Sequence, residues 1–287
     1  MRVLILRFFL YADDAKLFSK VESIEDRSIL QTCLNSLNDW CNEWSISMNV
    51  EKCMVLRINN RFDADFKYKI GDRELKNVSM AKDLGIVFEC NLEFNVHMDD
   101  KIKMANKMLV IINKNFMHLD VEAFKCLYTS QVRTHLEYGV QVWAPWKLKD
   151  IERLEKVQKR ATKMVLACKD MKYLERLKFL KLPTLRYRRT RGDMIMVFNI
   201  LHFYMEDSCP KLIKKTESRT RGHEKSLVGD RFKKNQKKFG FRNRVVKVWN
   251  DLPAELVNCE NVNIFKKKLD FHWADCEFVY DWREECG

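Results

Sequence analysis

Between residues 8 and 18 the chain reads Phe8-Phe9-Leu10-Tyr11-Ala12-Asp13-Asp14-Ala15-Lys16-Leu17-Phe18. The first apolar run continues back to Val3-Leu4-Ile5-Leu6, and a second short run goes from Ala15 to Phe18. Runs this short, rich in aromatic, β-branched and long apolar side chains and closed by a turn signal, predict strands rather than helices, the first of them buried. The order is therefore strand, acidic turn, strand. Two adjacent Asp at such a tip place carboxylates at the rim of a sheet. Mg²⁺ takes oxygen ligands of this kind, one or two carboxylates completed by substrate phosphates. Asp is also a common turn residue for backbone reasons alone, so an Asp pair does not by itself make a metal site.

Apolar strand, Tyr-Ala-Asp-Asp and return strand together resemble the motif that carries the metal-binding aspartates in the palm of reverse transcriptases. Tyr-Ala-Asp-Asp is the form typical of non-LTR retrotransposons. The resemblance implies that Asp13 and Asp14 are catalytic metal ligands for Mg²⁺ and that Tyr11 lies beside the nucleotide.

Further along, Ser23 with Asp26 three residues on is a box-like helix start. Leu30, Leu34, Leu37, Cys41, Trp44 and Met48 recur at three- and four-residue steps, one buried face of a helix of about six turns. Asn49-Val50-Glu51-Lys52 then precedes the strand Met54 to Ile58. That order resembles the next reverse-transcriptase motif, a short Asn-x-x-Lys segment. It implies that Asn49 and Lys52 face the nucleotide, with Lys52 near the pyrophosphate leaving group, where an ammonium offsets developing charge. Phe66 to Ile70, Gly71-Asp72 and Glu74 to Val78 predict a hairpin. Ala81 to Phe88 predicts a strand with Gly85 inside it, a mark of a bulge or close backbone approach. This stretch resembles the primer-grip hairpin at the palm–thumb junction.

From residue 94 the pattern is mainly helical. Val96, Ile102, Ala105, Leu109, Ile112 and Phe116 form one stripe. Phe124, Leu127, Gln131 and His135 form a second, and Ile151, Leu154, Val157, Ala161, Val165 and Cys168 a third. Gly139 and Pro145 interrupt between them. This succession is similar to the region C-terminal to the palm in jockey-like non-LTR elements. So are Leu136-Glu137-Tyr138-Gly139, the segment 154–161, Leu182-Pro183 and Phe241 to Pro253.

Net charge is +13, and it is regional. Residues 1–146 carry 19 Lys and Arg against 20 Asp and Glu, residues 147–268 carry 33 against 14, and residues 269–287 carry 1 against 6. Such a basic excess exceeds what solubility needs and points to a polyanion partner. Two stretches are the expected nucleic-acid contacts: Arg186, Arg188, Arg189 and Arg191, and Lys233, Lys234, Lys237, Lys238, Arg242 and Arg244. Lysines 211, 214 and 215 with Arg219 and Arg221 belong to the same basic region. Tyr187, Phe232, Phe239, Phe241 and Trp249 are interleaved, with Trp249 and most of the Phe expected in the core. Residues 207–240 have little apolar periodicity and are expected to order on nucleic acid.

Few Gly and Pro, 8 and 4, favour long helices over a sandwich or barrel. The ten Cys include no Cys-x-x-Cys pair, and His272, Cys276 and Cys286 fit no zinc spacing. Reduced thiols of an intracellular protein are the expectation. The opening apolar run is too short to span a membrane and lacks a signal-peptide cleavage site. The expected location is therefore the nucleus or cytoplasm.

The expected fold is α+β: a partial reverse-transcriptase palm (a small antiparallel sheet with a helix) at 1–92, thumb-like helices at 93–146, and a basic, mainly helical C-terminal region at 147–287. The expected function is that of the C-terminal part of an RNA-directed DNA polymerase, with an RNA template and a DNA primer as partners. The family's essential upstream Asp and its template-positioning Gly-Gln segment have no counterpart here. Asp63, Asp65 and Asp72 are the available substitutes, without a motif behind them. Alone, the chain is expected to be inactive. A non-catalytic nucleic-acid-binding module and a degenerate transposon remnant are the alternatives.

Overall fold

The computed structural model describes residues 7–59, 62, 65–116, 118–203, 212–214 and 223–284. Residues 3–6, Asp63, Cys209, Lys211, Lys215, Arg219, Arg221 and Cys286 lie outside them. The chain divides into two compact units, Met1–His97 and Met98–Gly287.

In the first unit, β1 (Arg7–Tyr11) and β2 (Asp14–Phe18) pair antiparallel, with Tyr11 opposite Asp14. The hairpin expected around the acidic pair is therefore present, but the strand expected to be buried is not: β1 is exposed at every residue. Helix α1 (Ile24–Glu43) starts at Ser23, whose hydroxyl accepts from Asp26 N while Asp26 accepts from Ser23 N, the full capping box. Leu34 and Cys41 are buried on its inner face. Trp44, expected on that face, is 64% exposed. The helix ends one residue earlier, and the left-handed Ser45 (φ +54°) carries the chain away before another turn can form.

The short strands that come next are β3 (Met54–Leu56), β4 (Lys69–Ile70), β5 (Arg73–Glu74), β6 (Lys76–Val78), β7 (Met80–Asp83) and β8 (Ile86–Glu89). The expected small antiparallel sheet is replaced among the described residues by separate two-stranded ribbons. Three are antiparallel and β3–β6 is parallel. Strands of two to five residues, each closed by a turn, are too short to extend one ladder. Gly71-Asp72 is the two-residue turn of β4–β5, as the sequence indicates. Gly85 is not inside a strand: Leu84-Gly85 is the two-residue turn of β7–β8, both at positive φ, the backbone that such turns require. The unit's core is small. Leu34, Tyr68, Ile70 and Leu75 are buried, with Leu17, Met48, Val50, Cys53 and Val55 packed on them.

The second unit is mainly helical, with one short antiparallel ribbon of β9 (Ile213–Lys214) and β10 (Leu227–Val228). Its long elements are α2 (Asn95–Asn115, which begins at the end of the first unit), α6 (Leu148–Ala161), α7 (Tyr173–Leu180), α8 (Leu185–His202), α10 (Phe241–Asn250) and α12 (Val262–His272). Shorter helices are α3 (Val121–Leu127), α4 (Arg133–Glu137), α5 (Val140–Trp143), α9 (Asn235–Lys238) and α11 (Ala254–Val257). The stripes of α2 and α6 are buried largely as the periodicity predicts, except that Val96 and Phe116 are exposed. The second stripe is not. Phe124, Tyr128, Val132 and Leu136 are the buried residues in place of Leu127, Gln131 and His135. A π turn at Tyr128–Val132 widens the helix, so a strict four-residue repeat stays on one face. A large core joins α8, α10 and α12 through Phe198, Trp249 and Phe265, all fully buried. No described helix is long and apolar enough to cross a membrane.

Candidate functional site

The β1–β2 turn holds Ala12 and Asp13, with Ala12 at φ +51° and Asp14 as the first residue of the return strand. Consecutive strand residues face opposite sides, and the turn rotates Asp13 out of the ladder. Both carboxylates and Tyr11 are exposed. Lys16 on the return strand pairs with Asp83 of β7 at 2.5 Å, which ties the acidic hairpin to the β7–β8 ribbon.

Asn49 and Lys52 also lie on the surface. The Asn49 side chain accepts from Lys52 N at 3.3 Å and caps the single 3₁₀ turn Val50–Lys52. Its first role is thus to shape the loop, and the Lys52 ammonium extends from a fixed base. Burial pushes the neighbouring Cys53 thiol up from its ordinary value. Beside the turn lies an open depression of about 370 Å³, lined by Ser47 to Glu51 and Arg73, with Arg73 and Glu51 paired at 3.7 Å. The two motifs share a foundation. Leu17, three residues past Asp14, and Val50 and Cys53, on either side of Lys52, pack on the same small core.

Two exposed carboxylates at one tip are the right donors for Mg²⁺, and too few for a two-ion centre. Among the described residues no group of three or more His, Cys, Asp or Glu could hold a metal ion. Asp65 and Asp72, expected as substitutes, do not form such a group with the pair.

The basic stretches of the second unit divide sharply. The arginines of α8 are engaged within the protein. Arg186 donates to the carbonyls of Trp282 and Arg283 at 3.0 and 3.3 Å. Arg188 grips both oxygens of Glu137, with one bond at 2.8 Å. Arg191 does the same to Asp270, with one bond at 2.7 Å. Arg189 is buried, and desolvation lowers it to about 10 despite Glu155 and Asp193 nearby. A buried guanidinium cannot meet a polyanion, so the expectation for Arg189 is corrected. A helical repeat that turns every cation of 186–191 outward does not exist. At 100° per residue some of them must face inward, and there they find acids.

Arg244 is likewise engaged. Its Nε and Nη2 donate to the Asp193 carboxylate at 2.8 and 3.0 Å, and Nη2 also to the Gln141 carbonyl at 2.9 Å. Arg242 pairs with Asp230 at 3.2 Å. In contrast, Lys233, Lys234, Lys237 and Lys238 are exposed on and before the short α9, with Lys237 reaching back to Asp230 at 3.8 Å. Lys238 stands beside a pair of aromatic rings. Trp146 and Phe239 stack with centroids 4.7 Å apart and planes within 2°. Lys147 Nζ lies 5.1 Å from the Trp146 centroid, and Lys238 Nζ lies 5.1 Å from Phe239 and 6.0 Å from Phe232. Sequence reasoning does not single out Trp146 or Lys147 as site residues. The signal available is an aromatic next to a lysine directly after Pro145, in a stretch already marked as non-helical. Trp249 is buried, as expected, and Tyr187 is buried too; the Phe expected in the core are not, since Phe232 is exposed and Phe239 and Phe241 are half-buried.

Compared with known proteins, the chain matches no family model and no solved structure. It is 28% identical over 199 residues to the RNA-directed DNA polymerase from mobile element jockey of Drosophila melanogaster, covering 58% of this chain and 21% of that protein. The jockey polymerase of Drosophila funebris is 29% identical, with the same coverage. A probable RNA-directed DNA polymerase from transposon BS of Drosophila melanogaster is 27% identical, over 55% of this chain and 18% of that protein. The chain spans about a fifth of the length of these relatives.

Proposed function

We propose that this chain is part of a non-LTR retrotransposon reverse transcriptase of the jockey type, an RNA-directed DNA polymerase. In this reading the first unit is a portion of the palm, α2 to α5 are thumb-like, and the rest of the second unit is a basic nucleic-acid-holding region. The observation that carries it is Tyr-Ala-Asp-Asp at the two-residue turn of an antiparallel hairpin, in a chain similar to three such polymerases.

In the parent reaction a primer 3′ hydroxyl attacks a nucleotide α-phosphate. Asp13 and Asp14 are the carboxylates that would hold Mg²⁺. Bound there, Mg²⁺ would supply charge neutralisation at the phosphates. Tyr11 borders the nucleotide, and Asn49 holds the loop from which Lys52 reaches the leaving group. Two carboxylates are short of a complete centre, so the chain alone is inactive, and its autonomous property is nucleic-acid binding through Lys233, Lys234, Lys237 and Lys238. The arginines at 186, 188 and 191 serve first to join α8 to its neighbours.

Two assays on the purified chain test this. Primer extension on an RNA template with Mg²⁺ should give no incorporation. Incorporation that disappears in Asp13→Ala would show that the site is complete without further residues. Affinity for a short oligonucleotide should fall at least tenfold from about 50 to 200 mM salt, as counterion release requires. An affinity flat in salt would remove the nucleic-acid role.

A further inference from the structure

The lysine-rich segment before α10 is held rigidly. Asn243 accepts from Asp230 N at 2.7 Å and donates to the Lys237 carbonyl at 2.7 Å. Phe239 N donates to the Asn235 carbonyl at 2.9 Å. Gly240 lets the chain turn sharply here, since a Cβ at this position would meet the Gln236 carbonyl at 3.0 Å. On the other side, the Lys147 carbonyl accepts from Asp150 N and Ile151 N, which anchors Trp146 to the start of α6. The Trp146–Phe239 pair is therefore fixed by backbone on both sides.

Around this pair cations outnumber acids. Residues 231–244 contain seven Lys and Arg and no acid; Lys237 and Arg242 reach Asp230, Arg244 reaches Asp193, and Lys238 lies on the rings. Phe232, 49% exposed, shares the Lys238 ammonium with Phe239 of the pair. An exposed ring among lysines has two uses. It can shelter aliphatic lysine stems, or it can offer a face to another flat, apolar, phosphate-bearing group. Phe232 remains half exposed with Lys238 already beside it, so sheltering is incomplete. An unpaired base fits better: its face covers the ring while its phosphate draws the ammonium. A duplex does not fit, because its bases already stack on one another.

We propose that Phe232, with the Lys238 ammonium that it shares with the Trp146–Phe239 pair, forms a stacking site for an unpaired base of single-stranded nucleic acid. This rests on the nucleic-acid role argued above and sharpens it. The basic region reads strandedness through aromatic faces, and does not bind phosphates alone.

The test is fluorescence anisotropy with the full chain and two short labelled strands of equal length, one intact and one abasic throughout. Both carry the same phosphates. The intact strand should bind about tenfold more tightly, the effect of one stacked base. Phe232→Ala should erase most of that preference and leave the salt dependence unchanged. Phe232→Leu keeps apolar bulk without a π face and should behave like Phe232→Ala. Equal affinity of the wild type for the two strands would overturn the stacking site and leave phosphate binding intact. So would a preference that survives in Phe232→Leu. Salt-insensitive or absent binding of both strands would overturn the nucleic-acid role itself.

Discussion

Leu84 holds its backbone at φ +44°, where a Cβ crowds the neighbouring carbonyl at a cost of about 1–2 kcal/mol. Gly85 beside it meets the same demand without that cost. Leu84 is 46% exposed and buries little in return. Leu84→Asn should therefore stabilise the β7–β8 hairpin by about 1 kcal/mol, because Asn tolerates the left-handed region. Amide exchange of the β7 and β8 ladder reads this directly. Faster exchange in the variant would show that Leu84 packing outweighs the turn. The same scale explains why sequence reasoning misplaces Gly85. A Gly flanked by apolar residues looks like a strand interruption, and only the pairing of Asp83 with Ile86 shows that the ladder has closed on itself. Asp13 and Asp14 need no such correction. An acid pair between two short apolar runs has few alternatives to a hairpin tip.

Helices α8 and α10 are joined by the Arg244–Asp193 pair, in which both partners are mostly buried. Burial holds the Asp193 carboxyl above the usual carboxylate range, with Arg244 opposing the shift. Removing the guanidinium would leave a buried acid without its counter-ion, the costly way to break such a pair. Arg244→Leu should lower the stability of the second unit by about 3–5 kcal/mol. A urea midpoint followed through the buried Trp143 and Trp249 measures it. A loss under about 1 kcal/mol would show that the pair is dispensable and return Arg244 to the candidate nucleic-acid contacts. Elements also show where periodicity misleads. The stripe Phe124, Leu127, Gln131, His135 keeps ideal helical spacing. The chain inserts a π turn instead, which buries Tyr128 with its hydroxyl donating to Gln158 at 2.6 Å. Spacing within the helix does not show that turn, or the partner on α6 that the buried hydroxyl meets.

Across the whole molecule, charge is used in two ways. Part of the basic excess of 147–268 is internal framework, and part is surface. The framework includes Glu155, buried beside Arg189, accepting from Tyr173 Oη at 2.6 Å and from Leu185 N at 3.1 Å. Desolvation raises both Glu155 and Asp193 above their ordinary values. A raised carboxyl binds its proton more readily in the folded than in the unfolded state. Its contribution is thus fully present below the unfolded value and is lost as pH rises through the folded one. Glu155→Gln mimics the protonated form and removes this dependence. The thermal midpoint of the wild type should accordingly gain on that of Glu155→Gln as pH falls from 8 toward about 4.5. A wild type that loses ground on acidification would reverse the sign and show an ionised, well-compensated Glu155.

Sequence alone determined the acidic hairpin, the capped helix after it, the helix-rich second unit with its α6 stripe, and the regional charge. Each is a local pattern: a run length, a turn pair, a period or a count within one stretch. Tertiary structure decided which cations face solvent, because that depends on where acids from distant elements fall. Arg188 found Glu137, Arg191 found Asp270 and Arg244 found Asp193, each about 50 to 80 residues away in sequence. It also decided that Trp146 and Phe239, 93 positions apart, lie ring on ring between Lys147 and the exposed Lys238. Pattern cannot see such meetings, because packing brings together residues that no period connects.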